Sequence, residues 1–333
     1  MVENEETSFI ETEPYEVGFG SHYDEHLKPL VNDFESRRQE AVKKFKKRLV
    51  LSILGVPISL VLSFICVFEV LDTDPDSFWS EIYFWGVLFF IFAVVGFVYS
   101  SIGTYKGSIK QEIFPRIISF LGEYSFDAEP GNQMERFASS QITPSYDRET
   151  SEDLTTGTYK GVNIEFFETE LEVRQRTSKT RSYKTIFDGV VISLSVKKSF
   201  EGHTIVLRDR GLVGNFFKSK FGTSLEKAGL EDPKFEKIFE VFTNDQVEAR
   251  YLLTTSFMER LLDLNDVFKG KGVQCSFYEK TLLITIPSNK DLFEAGSIFK
   301  REDFIDDAKA LLKEMNLIFS VVDILKLDQD IGL

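Results

Sequence analysis

Two long hydrophobic runs without charged side chains constrain this chain more than any other feature of its sequence. The runs are Leu49–Phe68 and Ile82–Ile102, and a short acidic loop separates them. About 20 apolar residues in an α-helix are enough to cross the hydrocarbon core of a bilayer. The sequence therefore predicts a transmembrane helical hairpin near the N-terminus, followed by a larger soluble part.

Basic residues flank the two runs on one side only. Seven Lys or Arg residues lie between Arg37 and Arg48, whereas the loop between the runs has five acids and no basic residue. Because Lys and Arg concentrate in cytoplasmic loops, this asymmetry predicts that both termini are cytoplasmic. We therefore expect a multi-pass protein of the cytoplasmic membrane.

The remaining composition limits the classes of protein to which the chain can belong. Its two cysteines, Cys66 and Cys275, are far apart in sequence, which excludes a disulfide framework. The net charge is −14, unlike that of a protein with a basic nucleic-acid-binding face. Residues 1–26 hold eight acids and no Lys or Arg, so we predict that they form a disordered acidic tail.

Small residues recur along both hydrophobic runs at helical spacing. The set comprises Gly55, Ser59, Ser63, Gly96 and Ser100. Small side chains let helix backbones approach closely, so these residues are predicted to pack the two helices together or to form a homodimer. No ionisable residue lies at membrane depth, which argues against a polar conduit through one copy of the chain.

Apolar stripes continue beyond both runs toward the predicted cytoplasmic side. Phe34 and Phe45 belong to the stripe before the first run, and a similar stripe follows the second run as far as Tyr124. We therefore assign residues 27–125 to juxtamembrane helices and the hairpin. The two stripes are predicted to pair as an antiparallel stalk.

The soluble part reads as a mixture of strands and helices. Alternating apolar and polar residues predict strands between Val162 and Leu207 and a second hairpin at 273–286. Helices are predicted at 233–242, at 244–264 and from Asp303 onward. This order predicts an α+β domain over residues 126–333, built on an antiparallel sheet. A pleckstrin-homology-like roll closed by the C-terminal helix is one form that such a domain can take.

A resemblance to a known family rests mainly on Phe239–Leu261, which reads FEVFTNDQVEARYLLTTSFMERL. This block is similar to the signature of a bacterial membrane protein family, domain of unknown function 3137 (DUF3137). The likeness spans roughly residues 45–330 and includes SFYEKTLLITIPSNKDLFE, TGTYKGVNIEFFETELE and FDGVVISLSV. It implies a two-helix inner-membrane protein with a cytoplasmic domain. It also implies a LemA-family protein as a partner, because the two families are often encoded near each other.

The sequence contains none of the common catalytic or metal-binding motifs. HExxH, CxxC, GxSxG and GxxxxGK[ST] are all absent. Of the three histidines, His22 and His26 are expected to be solvated and His203 to lie in a turn. One charged set lies in the signature block, where helix capping and ion pairing are a sufficient role for its members: Asp245, Glu248 and Arg250. We therefore predict a non-enzymatic protein without a cofactor or metal.

A basic segment without acids interrupts the acidic soluble part. It lies between two predicted strands and contains Arg174, Arg176, Lys179, Arg181 and Lys184. Near an anionic leaflet each such residue contributes about 1 kcal/mol of attraction. We predict a hairpin tip that docks on anionic lipid or binds a phosphate or an acidic partner; the alternative is a solvated loop.

Together these observations predict a membrane-tethered interaction module whose cytoplasmic domain binds a protein partner or anionic lipid. One alternative is an accessory subunit of a transporter or envelope-stress complex, assembled through the small-residue stripes. Another is an unrecognised enzyme that uses Asp245, Glu248 and Arg250. Nucleic acid is not expected as a partner.

Overall fold

The computed structural model describes most of the chain, in the ranges 8–71, 78–143, 145–176, 181–208, 225–269, 272–288 and 292–329. The side chains of residues 62, 63, 65–71, 78–84, 176 and 181 lie outside that description. The chain divides into two compact units. The first contains Met1–Ile113 and Ala295–Ala308, and the second contains Phe114–Glu294 and Lys309–Leu333. This division differs from the predicted boundary at residue 125, and it places a segment near the C-terminus in the first unit.

Two long helices form the frame of the first unit, and a short helix precedes them. Their bounds are α1 Phe19–His26, α2 Val31–Leu71 and α3 Phe78–Glu112. The rings of Phe45 on α2 and Tyr99 on α3 meet edge to face, with their centroids 5.7 Å apart. The Arg48 guanidinium donates to the carbonyl oxygen of Phe97 over 2.9 Å. These contacts hold α2 and α3 side by side where the basic residues meet the hydrophobic runs.

The second hydrophobic run lies in a stretch that fits a membrane span. Among the described residues, Trp85–Leu121 is long and apolar enough to cross a membrane. Its apolar side chains are largely uncovered, with exposed fractions of 76% at Phe89 and 67% at Phe92. The first run, Leu49–Phe68, falls partly on side chains outside the description. Association with a membrane is therefore supported by one helix, and the transmembrane pair remains a prediction.

The N-terminal segment is ordered from residue 8 onward, in contrast with the disordered tail predicted for residues 1–26. Phe19 and Tyr23 of α1 are fully buried, and the Phe9 ring packs against Phe19 with centroids 4.7 Å apart. The Tyr23 hydroxyl donates to the carbonyl oxygen of Asp303 over 2.7 Å. Aromatic burial thus orders a segment whose charge alone is typical of disorder. Residues 1–7 lie outside the described ranges.

Residues 295–308, which we call the strap, complete the first unit from a distant part of the sequence. Phe304 packs against Phe34 of α2 with ring centroids 5.3 Å apart, and Phe299 packs against Phe45 at 5.7 Å. The apolar stripe predicted on α2 is therefore packed, as expected. Its partners include the strap as well as α3, because a long-range contact supplies rings that no local pattern indicates.

One antiparallel sheet organises the second unit, and nine of its strands fall on described residues. Their bounds are β1 Ser125–Asp127, β2 Arg148–Tyr159, β3 Val162–Arg176, β4 Arg181–Ser195, β5 Thr204–Arg208, β6 Glu226–Ala228, β7 Phe239–Thr243, β8 Gln274–Tyr278 and β9 Thr281–Pro287. The strand order is β1-β2-β3-β4-β9-β8-β5-β7-β6. The predicted α+β class with an antiparallel sheet is confirmed. Among the described strands, β1 and β6 stand at the two ends of this order, and the pleckstrin-homology-like roll stays a prediction.

The core of the second unit forms where the central strands present apolar residues to one face. Phe167 of β3, Val191 of β4 and Leu283 of β9 are fully buried in one cluster. Phe137, from the 3-10 turn Met134–Ser140, stacks on Phe167 with ring centroids 5.8 Å apart. The alternation seen in the sequence thus places one side of these strands in the core.

Helices of the second unit pack around this sheet. Their bounds are α4 Phe114–Ile118, α5 Pro233–Glu236, α6 Gln246–Leu252, α7 Thr255–Val267 and α8 Ile305–Leu325, of which α8 begins in the strap. The predicted helix at 233–242 is wrong beyond α5, because its second half is strand β7. The predicted helix at 244–264 is interrupted where the Thr254 hydroxyl accepts the N–H of Phe257 over 3.2 Å and starts α7. On α8, Phe319 stacks against Tyr159 of β2 with centroids 4.4 Å apart.

Candidate functional site

The charged residues of the signature block lie at the start of α6. The Asp245 carboxylate accepts the backbone N–H groups of Val247 and Glu248 over 2.8 and 2.9 Å, which caps the helix as predicted. Arg250 is exposed, and its Nη1 donates to the carbonyl oxygen of Gln246 over 2.9 Å. The structure therefore gives Asp245 and Arg250 local roles in the helix.

Glu248 reaches from α6 to the loop before β5. Its carboxylate accepts the backbone N–H groups of Glu201, over 2.8 Å, and of Gly202. The neighbouring Asn244 side chain accepts the N–H of His203 over 2.7 Å. A Cβ atom on Gly202 would lie 2.3 Å from Oε2 of Glu248, so a larger residue at this position would require the Glu248 carboxylate to shift. The signature block thus clamps a loop through backbone hydrogen bonds.

A histidine and a serine lie within hydrogen-bond distance next to this clamp. Nε2 of His203 lies 2.9 Å from the carbonyl oxygen of Ser140 and 3.0 Å from Oγ of Ser276. Burial lowers the pKa of His203 below its usual range. Ser276 and the adjacent Cys275 are fully buried, and burial raises the pKa of the Cys275 thiol. Ser276 and Cys275 are thus closed off from solvent, whereas His203 is half-buried.

The basic segment forms the end of the hairpin between β3 and β4, as predicted. Arg176 and Arg181 pair across the two strands in register. Arg174 and Lys184 are exposed on the described parts of the strands. Lys179 and the side chains of Arg176 and Arg181 lie outside the described residues. Arg174 pairs with Tyr183 and Lys184 pairs with Val173, so these two basic side chains point to opposite faces of the hairpin near its end.

The two glycines of the hydrophobic runs lie away from the contact between α2 and α3, whereas Ser100 takes part in it. Among the described atoms, none lies within 4 Å of a Cβ atom built on Gly55 or Gly96, and both glycines are exposed. Ser59 donates to a carbonyl oxygen of its own helix, and Ser100 accepts a hydrogen bond from Arg48 over 2.6 Å. The glycines are predicted either to pack the two helices together or to form a homodimer. Their exposure leaves open the second role, which is association with another chain. Ser63 lies outside the described side chains.

A polar cleft of about 360 Å³ lies between α2 and α3, at the basic end of the hydrophobic runs. Lys44 and Arg48 of α2 line it one helical turn apart. Hydroxyl groups line it from α3 at every fourth residue: Ser100, Thr104 and Ser108. The α2 wall of the cleft therefore carries cations and one carboxylate, Glu40, and the α3 wall carries neutral polar groups.

The cations of the cleft differ in how they are paired. Arg37 forms ion pairs with Asp33, over 2.7 Å, and with Glu112 of α3, over 2.8 Å. Lys44 pairs with Glu40 over 2.7 Å, but both side chains are more than half exposed. Arg48 is held by two neutral oxygens, those of Phe97 and Ser100. The positive charge at the membrane-proximal end of the cleft is thus the least neutralised.

Two buried carboxylates belong to the strap. Asp307 is 5% exposed, and its Oδ1 accepts the N–H of Gly296 over 2.7 Å. Burial, reinforced by the charge of Glu302, raises the pKa of Asp307 to about 7. Burial also raises the pKa of Glu302, whose carboxylate accepts the hydroxyl of Tyr105 over 2.8 Å. Asp307 therefore changes its protonation state near neutral pH.

A third carboxylate ties the strap to α2. Glu35 accepts two hydrogen bonds from Arg38, each over 2.7 Å, and the N–H of Glu302 over 3.0 Å. The hydrogen bond from Arg38 lowers the pKa of Glu35 to about 2. Arg38 also donates to the carbonyl oxygen of Ile298 over 2.7 Å. The strap is thus held by a charge pair that stays ionised across the physiological range.

Two groups of side chains have the composition of a metal site but remain unassigned. His22 and His26 lie one turn apart on α1, with ring centroids 4.4 Å apart. In the second unit, Glu152, Asp153 and Glu294 each bring a carboxylate oxygen within 4.8 Å of the others. Exposed acidic groups of this kind are common without an ion, so we assign no metal to either group.

The cleft is the feature that sequence reasoning missed. In the sequence, the basic stretch before Leu49 indicates only topology, and Ser100 is one of the small residues expected to pack the two helices or to form a homodimer. The four-residue spacing of Ser100, Thr104 and Ser108, set against Lys44 and Arg48, is the signal that could have found it. Recognising it requires knowing which faces of α2 and α3 meet.

Comparisons with known proteins address the second unit most directly. The model of a family described as a protein of unknown function (DUF3137) matches residues 185–327. No curated protein matches the chain. Among solved structures, the crystal structure of the mycobacterial trehalose monomycolate transport factor A, TtfA, has 13% sequence identity and a TM-score of 0.35, over 66% of this chain and 96% of that chain. The family match contains the signature block and supports DUF3137 for the part of the chain that runs from β4 to the end of α8.

Proposed function

We propose that this protein is a membrane-anchored interaction module, in which α2 and α3 cross the bilayer and the second unit lies on the cytoplasmic side. The observation that carries the proposal is a band of exposed apolar side chains on both helices. Exposed fractions reach 61% at Ile53 and Leu54 on α2 and 76% at Phe89 on α3. Soluble monomers rarely expose an apolar patch beyond about 300–600 Å². A bilayer would cover this band, which explains its lack of charge.

The basic residues supply the orientation. Arg48 immediately precedes the first apolar run, and Lys43, Lys44, Lys46 and Lys47 lie just before it. Placing this stretch and the second unit in the cytoplasm satisfies the preference of Lys and Arg for that side. The acidic loop between the runs then faces the other side.

Alkaline carbonate extraction of membranes that contain the full chain tests the anchor. We expect the protein to remain with the membrane pellet; its release would refute the anchor. Orientation is tested with single cysteines, Asp74→Cys or Glu201→Cys, in a chain without Cys66 and Cys275. An impermeant maleimide should label residue 74 from outside intact cells and residue 201 only after lysis, and the reverse pattern would refute the orientation.

A matched pair of lysine substitutions separates membrane insertion from general surface effects. Phe89→Lys places a charge in the apolar band and should reduce the membrane-integrated fraction, since a lysine at the centre of a membrane helix costs about 2.5–3.5 kcal/mol. Val247→Lys is the control, because Val247 is 79% exposed in the second unit. Equal recovery of both variants from the membrane would contradict the proposal.

The absence of enzymatic activity is part of the proposal. Its support is that the signature residues Asp245 and Glu248 bind backbone N–H groups and that Ser276, the hydroxyl beside His203, is fully buried. The partner is then a protein or an anionic lipid, as the basic hairpin end at Arg174 suggests.

A second candidate function is that of an accessory subunit in a membrane complex, with a LemA-family protein as one possible partner by resemblance. The exposure of Gly55 and Gly96 favours it, because exposed glycines allow close approach by another helix. Crosslinking in the native membrane should trap a partner with the wild type and lose it with Gly55→Leu. Ile53→Leu, at another exposed position of the same helix, is the control.

A further inference from the structure

We infer that the cleft between α2 and α3 binds the phosphate group of an anionic phospholipid. The inference rests on the proposed membrane anchor and adds to it a defined site and a ligand class. Basic pockets between membrane helices on the cytoplasmic side are suited to anionic headgroups. The volume of about 360 Å³ falls within the range of small-molecule sites.

Arg48 provides the most suitable donor in the cleft. Its guanidinium lies 4.3 Å from the ring centroid of Phe97 and is fixed by hydrogen bonds to Phe97 and Ser100. Among the described residues, both of these hydrogen bonds use Nη1, which leaves the donors on Nε and Nη2 for a ligand. A positioned guanidinium can bind a phosphate through two parallel hydrogen bonds.

Lys44 supplies the second charge, one turn away on the same wall. Its pair with Glu40 is solvent-exposed on both sides and therefore weak, so the ammonium group can exchange toward a phosphate. Thr104 and Ser108 complete the opposite wall with hydroxyls that bond to carbonyl oxygens of their own helix. Arg37 has a different role, because its ion pairs with Asp33 and Glu112 already occupy it.

The surroundings favour a lipid over free phosphate as the source of the anion. Leu51 and Phe97, next to the cleft in sequence, are 57% and 54% exposed. Acyl chains of a lipid whose phosphate sits by Arg48 would cover such apolar side chains, whereas inorganic phosphate would leave them bare. A single ligand thus accounts for both the charge and the exposed apolar surface.

Native mass spectrometry of the full chain in detergent, titrated with phosphatidylglycerol or phosphatidylcholine, tests the site. We expect preferential retention of phosphatidylglycerol by the wild type. The double substitution Lys44→Gln and Arg48→Gln should weaken it roughly 30-fold, from about a fivefold contribution per basic residue. The matched control, Lys43→Gln with Lys47→Gln, removes the same charge from exposed positions outside the cleft lining and should stay close to the wild type.

Several outcomes would overturn the inference. If both double variants lost phosphatidylglycerol to the same extent, the basic stretch would attract the lipid diffusely and the cleft would not be a site. Equal retention of both lipids would exclude recognition of the anion, and full displacement by inorganic phosphate would assign the site to the free anion. Because Arg48 also contacts α3, Thr104→Trp provides a second variant that fills the cleft without altering charge, and it should also lose phosphatidylglycerol. Carbonate extraction of each variant separates loss of the lipid from loss of the anchor.

Discussion

Replacing Asp307 by Asn should stabilise this protein at high pH, and the size of the effect follows from its surroundings. Asp307 has a pKa of about 7 in the folded chain, against an ordinary value of 3.8. Between about pH 4 and pH 7, the folded chain therefore retains on this carboxyl group a proton that the unfolded chain has already lost. The contribution of Asp307 to stability is therefore full below about pH 4 and falls as the pH rises to 7. Over this pH range the free energy of unfolding falls by about 4 kcal/mol in total. Asn stays neutral, so the variant avoids this loss.

The groups that face Asp307 define the prediction further. Glu302 and Asp306 raise its pKa, whereas the N–H of Gly296 and the charge of Lys106 lower it, and burial is the largest influence. The carbonyl oxygen of Asn can still accept the N–H of Gly296. The stability gap between the variant and the wild type should thus grow from about 2 kcal/mol at pH 5 to about 4 kcal/mol at pH 8.

Thermal unfolding of the purified full chain in detergent, at pH 5 and pH 8, measures this gap. Asp306→Asn is the comparison variant. Asp306 is 80% exposed at its side chain and raises the pKa of Asp307 less than burial or Glu302 does, so its substitution should reduce the pH dependence only slightly. A gap of equal size at both pH values would refute the reasoning. So would an Asp307→Asn variant that unfolds more readily than the wild type at pH 8, since Asp307 would then be stabilised as an anion.

Three further predictions follow from other contacts. Phe304→Ala should lower the free energy of unfolding by about 3–5 kcal/mol, because the ring is 1% exposed and packs on Phe34. Unchanged protease sensitivity of the strap would contradict this prediction. Glu248→Gln should lower the free energy of unfolding by about 1–2 kcal/mol, because an amide replaces the charged acceptor of two N–H groups. Thermal unfolding measures this change. A loss of function without a loss of stability would instead support catalysis. In a fragment of residues 107–333, which lacks both hydrophobic runs, replacing all basic residues of 174–184 with Ala should abolish flotation with phosphatidylglycerol vesicles. Equal flotation of the wild-type and variant fragments would exclude docking of the hairpin end on lipid.

The elements that sequence reasoning predicted well are those specified by local patterns. The alternation around Val191 predicts strand β4, and the carboxylate of Asp245 marks the start of α6 before any tertiary contact is known. Local patterns were insufficient at Phe239–Thr243, where a short apolar run fits a helix or a strand equally and only pairing with β5 decides. They also failed at residues 8–26, where acidic composition concealed buried aromatic residues.

The sequence by itself determined the two apolar runs, the charge asymmetry around them and the antiparallel α+β class, because each depends on residues close together in the chain. Only the tertiary structure decided that the strap returns to α2, that Glu248 clamps the loop at Gly202 and that Lys44 and Arg48 face the hydroxyls of α3. Each of these joins residues tens to hundreds of positions apart. Such contacts depend on which faces pack together, and periodicity within one segment carries no information about the face that another segment presents.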